Sequence, residues 1–130
     1  MKINSIDHIV LTVKDIANTV KFYESVLGMQ RIEFQEGRVA LSFGHQKINL
    51  HELGSEFEPK AETVTPGSAD ICFIVDTPIS EALTELHRKN VAVIEGPVKR
   101  TGANGPIISV YLRDPDNNLI EISNYLDQDA

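Results

Sequence analysis

The sequence predicts an α+β protein in which one pattern, a strand followed by a helix and three strands, occurs twice. The two copies are marked by similar segments, His8–Val13 and Asp70–Val75, each an apolar run that opens with a polar residue. Since a module of about 60 residues would bury little core alone, we expect one domain over residues 1–130. Its predicted parts are module one at 1–53, a linker at 54–68 and module two at 69–126.

The first module begins with β-forming residues up to Val13 and then Asp15, a favourable residue for a helix N-cap. Apolar residues spaced by four, three and four positions predict one helix face, which consists of Ile16, Val20, Tyr23 and Leu27. Gly28 is expected to end this helix in the left-handed conformation. Three strands are then predicted at Arg31–Gln35, Val39–Phe43 and Lys47–Glu52.

The second module repeats this order after a connection rich in glycine, proline and charged residues. A helix is predicted over Ser80–Lys89, with Asn90 at its C-cap. The remaining strands are expected at Ala92–Glu95, Ile107–Arg113 and Leu119–Ser123, with a mobile loop at Gly96–Pro106. Asp114–Asn118 is predicted to be a tight hairpin turn in which Asn117 or Asn118 takes a positive φ.

Composition excludes several classes of partner. The net charge of −7 argues against nucleic acid, whose phosphates it would repel. No apolar run approaches the ~20 residues that span a membrane, and the first residues lack the features of an export signal. One cysteine, Cys72, suits a reducing cytoplasm, and its apolar strand predicts a packed thiol rather than a nucleophile.

Strand alternation places polar side chains on the face of each predicted sheet that is turned away from its helix. These residues are His8, Asn49 and His51 in module one, and Asp70 and Glu121 in module two. Imidazole and carboxylate groups together suit Fe(II), Mn(II), Ni(II) or Zn(II). Each residue alone could equally be an ordinary surface or core residue, and His45 and His87 are expected to be solvated.

The chain resembles the vicinal oxygen chelate superfamily, which includes glyoxalases, bleomycin-resistance proteins and extradiol dioxygenases. The resemblance is strongest to small glyoxalase-domain proteins. It covers nearly the whole chain and rests on the motifs at His8–Val13, Phe22–Gly28, Lys47–His51, Gly96–Pro97, Tyr111–Asp116 and Leu119–Ile122.

The resemblance implies two βαβββ modules that form an open cup of mixed strands with the helices outside, a divalent metal ion and a homodimer. Family ligands lie on the first and last strands of each module, which here gives His8, His51 or Asn49, Asp70 and Glu121. The usual strand pattern favours Asn49, whereas His51 is chemically the stronger ligand. Many members have histidine where this chain has Asp70, so a smaller set of His8, His51 and Glu121 is an alternative.

These residues favour a metal-dependent lyase or isomerase similar to glyoxalase, acting on a small substrate with vicinal oxygens. Glu121 is the expected ligand and proton acceptor, and Asp70 is the second choice. Arg113 and Tyr111 are candidate substrate-binding residues, or equally a surface salt-bridge donor and a core aromatic. The alternatives are an extradiol-type dioxygenase using Fe(II), thiol transfer to an epoxide, and a binding protein for an antibiotic-type small molecule without chemistry.

Overall fold

The computed structural model describes residues 1–126, which confirm the α+β class and the repeated order of elements. One compact unit covers Met1–Ser68, and a second begins at Ala69. The first contains β1 (His8–Val13), α1 (Ile16–Ser25), β2 (Gln30–Phe34), β3 (Arg38–Phe43) and β4 (Gln46–Glu52). The second contains β5 (Asp70–Ile74), α2 (Ile79–Arg88), β6 (Glu95–Gly102), β7 (Gly105–Arg113) and β8 (Leu119–Tyr125). That both units belong to one domain stays a prediction.

The first unit is a four-stranded sheet with the order β1-β4-β3-β2 and a helix on one face. β1 runs parallel to β4, and the other neighbouring strands are antiparallel. Leu11 and Leu50 alternate toward the helix-covered face and are buried, as are Val20 and Tyr23 on α1. The apolar helix face expected from the sequence therefore forms the core of this unit.

Both ends of α1 follow the sequence prediction. The Asp15 side chain accepts a hydrogen bond of 3.0 Å from the Asn18 N–H, which satisfies a backbone donor of the first turn. Glu52 at the end of β4 accepts a second one from the Ile16 N–H at 3.2 Å. Gly28, after the last turn, has a φ of 68°.

The second unit has the equivalent sheet, in the order β5-β8-β7-β6 with β5 parallel to β8. Its helix lacks a capping side chain at Pro78, and Asn124 of β8 supplies one instead. The Asn124 Oδ1 accepts from the Ile79 N–H at 2.8 Å, while its Nδ2 donates to the Val75 carbonyl at 2.9 Å. Asn124 thus joins the helix to the sheet. Neither α1 nor α2, within residues 1–126, has the length and apolar character needed to cross a membrane.

The turn between β7 and β8 has the predicted form. The Asp114 Oδ1 accepts from the N–H groups of Asp116 and Asn118, both at 2.9 Å. The Asn118 Nδ2 donates to the other oxygen of the same carboxylate at 2.8 Å. Asn117 takes a φ of 67°, which asparagine tolerates better than most residues.

Two predictions in the second unit are wrong. The strand predicted at Ala92–Glu95 is absent except for Glu95, which begins β6, and most of the predicted mobile loop at Gly96–Pro106 belongs to the β6–β7 hairpin. Proline is tolerated in β6 because this strand lies at the sheet edge, and the pairing shifts register between Glu95 and Val98. Glycine is required at Gly96, where a Cβ would lie 2.4 Å from the Ser109 carbonyl oxygen.

Candidate functional site

We define the open face of the first sheet as the face turned away from α1. The strand register pairs His8 with Lys47, Val10 with Asn49 and Thr12 with His51, so all six side chains lie on this face. His8 is offset from Asn49 by two residues and from His51 by four. At about 3.3 Å per residue and 4.8 Å between strands, these offsets separate the Cα atoms by about 8 and 14 Å. Asn49 is therefore the nearer partner of His8.

His8 is held by its neighbour in sequence. The His8 Nδ1 lies 2.7 Å from the Asp7 Oδ1, and the His8 side chain is 43% exposed. Metal-binding histidines commonly use this arrangement, in which a carboxylate fixes one ring nitrogen and leaves the other available. Asp7 was missed by the sequence analysis, although its position directly before His8 was a usable signal.

Asn49 and His51 are both buried, and each has a buried polar atom without a hydrogen-bond partner among the described residues. These atoms are the Asn49 Oδ1 and the His51 Nδ1. Burial of an unpaired polar group is unfavourable, so each atom marks a place where a ligand could be stabilising.

The two atoms differ in what they can offer a cation. The Arg38 Nη2 lies 3.4 Å from the His51 Nε2, and because arginine can only donate, the Nε2 accepts and the proton resides on Nδ1. Burial, and then the positive charge of Arg38, lower the pKa of His51 and keep the ring neutral. The Asn49 Oδ1 carries lone pairs and no proton, so it can coordinate a metal ion, whereas the protonated His51 Nδ1 cannot.

The open face of the second sheet, turned away from α2, is centred on Glu121. The register pairs Glu121 with Cys72 on one side and with Tyr111 on the other. Asp70 lies on the same face two residues before Cys72 and is exposed. The predicted residues of this module therefore share one face, as strand alternation indicated.

A chain of polar contacts leads to Glu121 from the edge strand. The Arg100 Nε donates to the Tyr111 hydroxyl, and its Nη2 donates to the Glu95 Oε1, both at 3.1 Å. Burial raises the pKa of Tyr111, Arg100 opposes this effect, and the Glu121 carboxylate raises it further. Tyr111 is therefore a neutral phenol near pH 7. The sequence analysis missed Arg100 because β6 was predicted to be a loop.

Cys72 differs in environment from the prediction, whereas Arg113 takes one of its two expected positions. Cys72 is exposed rather than packed, and its Sγ lies 3.3 Å from the Ser123 Oγ. Partial shielding from water and, less strongly, the Glu121 carboxylate raise the pKa of this thiol, which disfavours a thiolate nucleophile. Arg113 is exposed and donates to the Asn117 carbonyl at 3.3 Å, so its substrate-binding role stays a prediction.

Within residues 1–126, no group of three or more histidine, cysteine, aspartate or glutamate side chains is arranged to hold a metal ion. His45 and His87 are exposed, as expected from the sequence. Each open face thus presents some of the predicted ligand residues, and the ligand set as a whole stays a prediction.

Comparison with known proteins defines the family. The model of the Glyoxalase/Bleomycin resistance protein/Dioxygenase superfamily matches residues 5–122. The chain therefore belongs to this superfamily, whose members bind small molecules and commonly use a divalent metal ion.

Several relatives match almost end to end. Virulence protein STM3117 of Salmonella typhimurium is 57% identical over 126 residues, which cover 97% of this chain and 88% of the relative. Its crystal structure matches with a TM-score of 0.96 over 97% of this chain and 100% of that one. A structure from the mobile metagenome of V. Pseudocholerae is 61% identical, with a TM-score of 0.95 and 98% coverage of both chains. The antibiotic-binding protein TnmS3 of Streptomyces sp. shares the fold alone, at 20% identity, a TM-score of 0.76 and coverage of 97% and 99%.

Proposed function

We propose that this protein is a divalent-metal-dependent lyase or isomerase that acts on a small substrate with vicinal oxygens. One observation carries the proposal: the buried Asn49 Oδ1 has no hydrogen-bond partner within residues 1–126 and shares the open face of the first sheet with His8, whose ring is oriented by Asp7. A metal ion would satisfy the amide oxygen and use the free nitrogen of His8.

The chemistry of the donors fits such an ion. We propose His8, Asp70 and Glu121 as ligands, with Asn49 in preference to His51, because Arg38 occupies the His51 Nε2 and its charge repels a cation. One imidazole with several oxygens suits Mn(II), Fe(II), Ni(II) or Zn(II). When bound, such an ion would polarise the vicinal oxygens of the substrate.

Glu121 is the proposed proton acceptor, which removes a proton from the carbon beside the substrate carbonyl. Its neighbours support this role. Tyr111 is a neutral phenol that can donate a hydrogen bond to Glu121, and Arg100 fixes the Tyr111 hydroxyl at 3.1 Å. The carboxylate is thereby oriented by a neutral hydrogen-bond donor, with Arg100 one step removed from it.

The test is turnover by the reconstituted protein. We expect metal-loaded protein to convert the adduct of methylglyoxal and glutathione into a thioester, which is followed by its absorbance. Glu121→Gln should lose at least about 100-fold in kcat, the usual contribution of a general base. Glu81→Gln, an exposed carboxylate in α2, should keep full activity. Oxygen consumption with a catechol and Fe(II), without thioester formation, would assign the protein to the dioxygenases instead.

A second candidate is a binding protein that holds an antibiotic-type molecule without chemistry. It is favoured by the lack, within residues 1–126, of a formed group of three metal-binding side chains. The fold shared with TnmS3, described as antibiotic-binding, is compatible with it. Thermal stabilisation by a ligand that is recovered unchanged, both with and without metal, would support this candidate over the enzyme.

We also propose that the protein is a cytoplasmic homodimer. The dimer follows from the family resemblance, and the location from the single cysteine. Sedimentation at micromolar concentration should give about twice the 14.4 kDa mass of the chain. A monomer under these conditions would contradict the dimer.

A further inference from the structure

A group of cations and aromatic rings lies on the open face of the first sheet, the face that also carries the proposed ligands His8 and Asn49. We call Phe34, Arg38, Lys47 and Phe57 the cation–aromatic cluster. The Arg38 Cζ lies 4.5 Å from the ring centre of Phe57 and 5.4 Å from that of Phe34. The Lys47 Nζ lies 3.9 Å from the ring centre of Phe34. Phe34 thus joins two positive charges, and Phe57, in the loop after β4, packs over one of them.

Neither cation of the cluster has an ion-pair partner among residues 1–126. Within the described part of the chain, no carboxylate oxygen lies within 4.0 Å of Arg38 or Lys47. The carboxylates of Glu56 and Glu58 lie near enough to raise the pKa of His51, but Glu58 pairs with Lys60 and Glu56 accepts from the Gly54 N–H at 2.7 Å. Two unpaired cations on one face are notable in a chain of net charge −7, in which carboxylates outnumber basic groups.

The guanidinium of Arg38 is held in place but keeps most of its donors. The buried His51 ring accepts from its Nη2 at 3.4 Å and also lies against Phe57, with ring centres 5.6 Å apart. Arginine has five N–H donors in one plane, and within the described part of the chain only one of those of Arg38 has a partner, while the face of the group stacks on phenylalanine. A planar fork of donors between apolar rings matches a carboxylate attached to an apolar body.

From this geometry we propose that the cation–aromatic cluster binds a carboxylate group of the ligand, with Phe34 and Phe57 in contact with the adjacent apolar part. That this ligand is the substrate rests on the proposed function, and it narrows the substrate class to small carboxylic acids with an apolar group. Arg38 is the residue that selects for the charge, and Lys47 strengthens the local positive potential.

The test compares benzoate with benzamide, which have similar shape and differ in charge. Binding is measured by NMR titration of the full chain in EDTA, so that a metal ion plays no part. We expect benzoate to bind at least about tenfold more tightly, as charge-assisted hydrogen bonds indicate, with shifts at Phe34, Arg38 and Phe57. Raising the salt concentration should weaken the binding of benzoate and leave the binding of benzamide unchanged.

Two variants locate the effect. Arg38→Gln should reduce benzoate affinity at least about tenfold, whereas Arg31→Gln on the neighbouring strand should not change it. Arg31 is a matched control because it is exposed and pairs with Glu33 at 3.5 Å. The comparison of the two ligands on the unaltered protein keeps the test valid if Arg38→Gln fails to fold.

The proposal would be overturned if benzoate and benzamide bound equally well, or if Arg38→Gln and Arg31→Gln lost the same amount of benzoate affinity. Phenyl phosphate binding tenfold more tightly than benzoate would overturn the carboxylate assignment in favour of a phosphate. Because the titration is metal-free, the outcome is separate from that of the proposed function: selective benzoate binding by a protein that never binds metal would contradict only the latter.

Discussion

Asp7→Asn is the substitution that most sharply tests the proposed role of His8 as a metal ligand. The Asp7 Oδ1 lies 2.7 Å from the His8 Nδ1, so the carboxylate fixes which ring nitrogen carries the proton and which is free. Asparagine has nearly the same shape but no charge. The variant should therefore keep the fold while weakening the orientation of the His8 ring.

The expected loss of metal affinity depends on how exposed the Asp7 and His8 side chains are. Losing a carboxylate partner of a metal-binding histidine typically reduces metal affinity 10- to 100-fold. The side chains here are 89% exposed for Asp7 and 43% exposed for His8, so water competes for the same hydrogen bond. We therefore expect about a tenfold loss of affinity, at the lower end of the range, and no measurable change in melting temperature.

Affinity is measured by competition with a chromophoric chelator, using Ni(II) and Zn(II). Asp76→Asn is the control because Asp76 is also an exposed aspartate but lies after β5, outside the strands that carry the proposed ligands. Unchanged metal affinity in Asp7→Asn, or the same loss in both variants, would refute the role of Asp7 in preparing His8.

Three further predictions concern the fold, the proton acceptor and pH. Gly96→Ala should lower the free energy of unfolding by about 3 kcal/mol, against about 1 kcal/mol for Gly37→Ala, in urea titrations: both have positive φ, but only at Gly96 would the Cβ meet backbone atoms. Tyr111→Phe should reduce kcat about tenfold with little change in KM, because it removes the hydroxyl that orients Glu121; a change in KM alone would contradict this role. The pKa of His51 is lowered in the folded state, so the unfolded chain takes up the proton first, and metal-free protein should lose stability as the pH falls below about 6.5. In thermal melts, His51→Gln should reduce the dependence of the melting temperature on pH, and His45→Gln should leave it unchanged. The same dependence in both variants would refute His51 as its cause.

Local patterns in the sequence were enough to predict most elements and both open faces. Asp15 does cap α1, Gly28 and Asn117 take positive φ, and the apolar face of α1 is buried. These features depend on neighbours within a few residues or on strand alternation. They are therefore visible without knowledge of the tertiary structure.

The errors arose where pairing across the chain overrides local composition. Glycine and proline made Gly96–Pro106 resemble a loop, yet an edge strand accepts Pro97 and the close approach of β7 requires Gly96. The cap of α2 was equally invisible, since Asn124 lies 45 residues from the Ile79 N–H that it binds.

In the candidate site too, local patterns were sufficient for some features, while others depend on pairing between distant parts of the chain. Alternation placed His8, Asn49 and Glu121 on open faces, but it could not choose between Asn49 and His51. That choice depends on Arg38, which reaches the His51 Nε2 from the adjacent strand β3. The hydrogen bond from Arg100 to Tyr111 likewise requires the pairing of β6 with β7.

The central claim, a divalent metal ion held by His8, Asn49, Asp70 and Glu121, is tested most directly by metal analysis after reconstitution with Ni(II), Mn(II), Fe(II) and Zn(II). The account predicts about one equivalent per chain for the unaltered protein and for His87→Ala, an exposed histidine of α2. It predicts that His8→Ala and Glu121→Ala retain much less bound metal than the unaltered protein. Less than about a tenth of an equivalent of every metal in the unaltered, folded protein would contradict it.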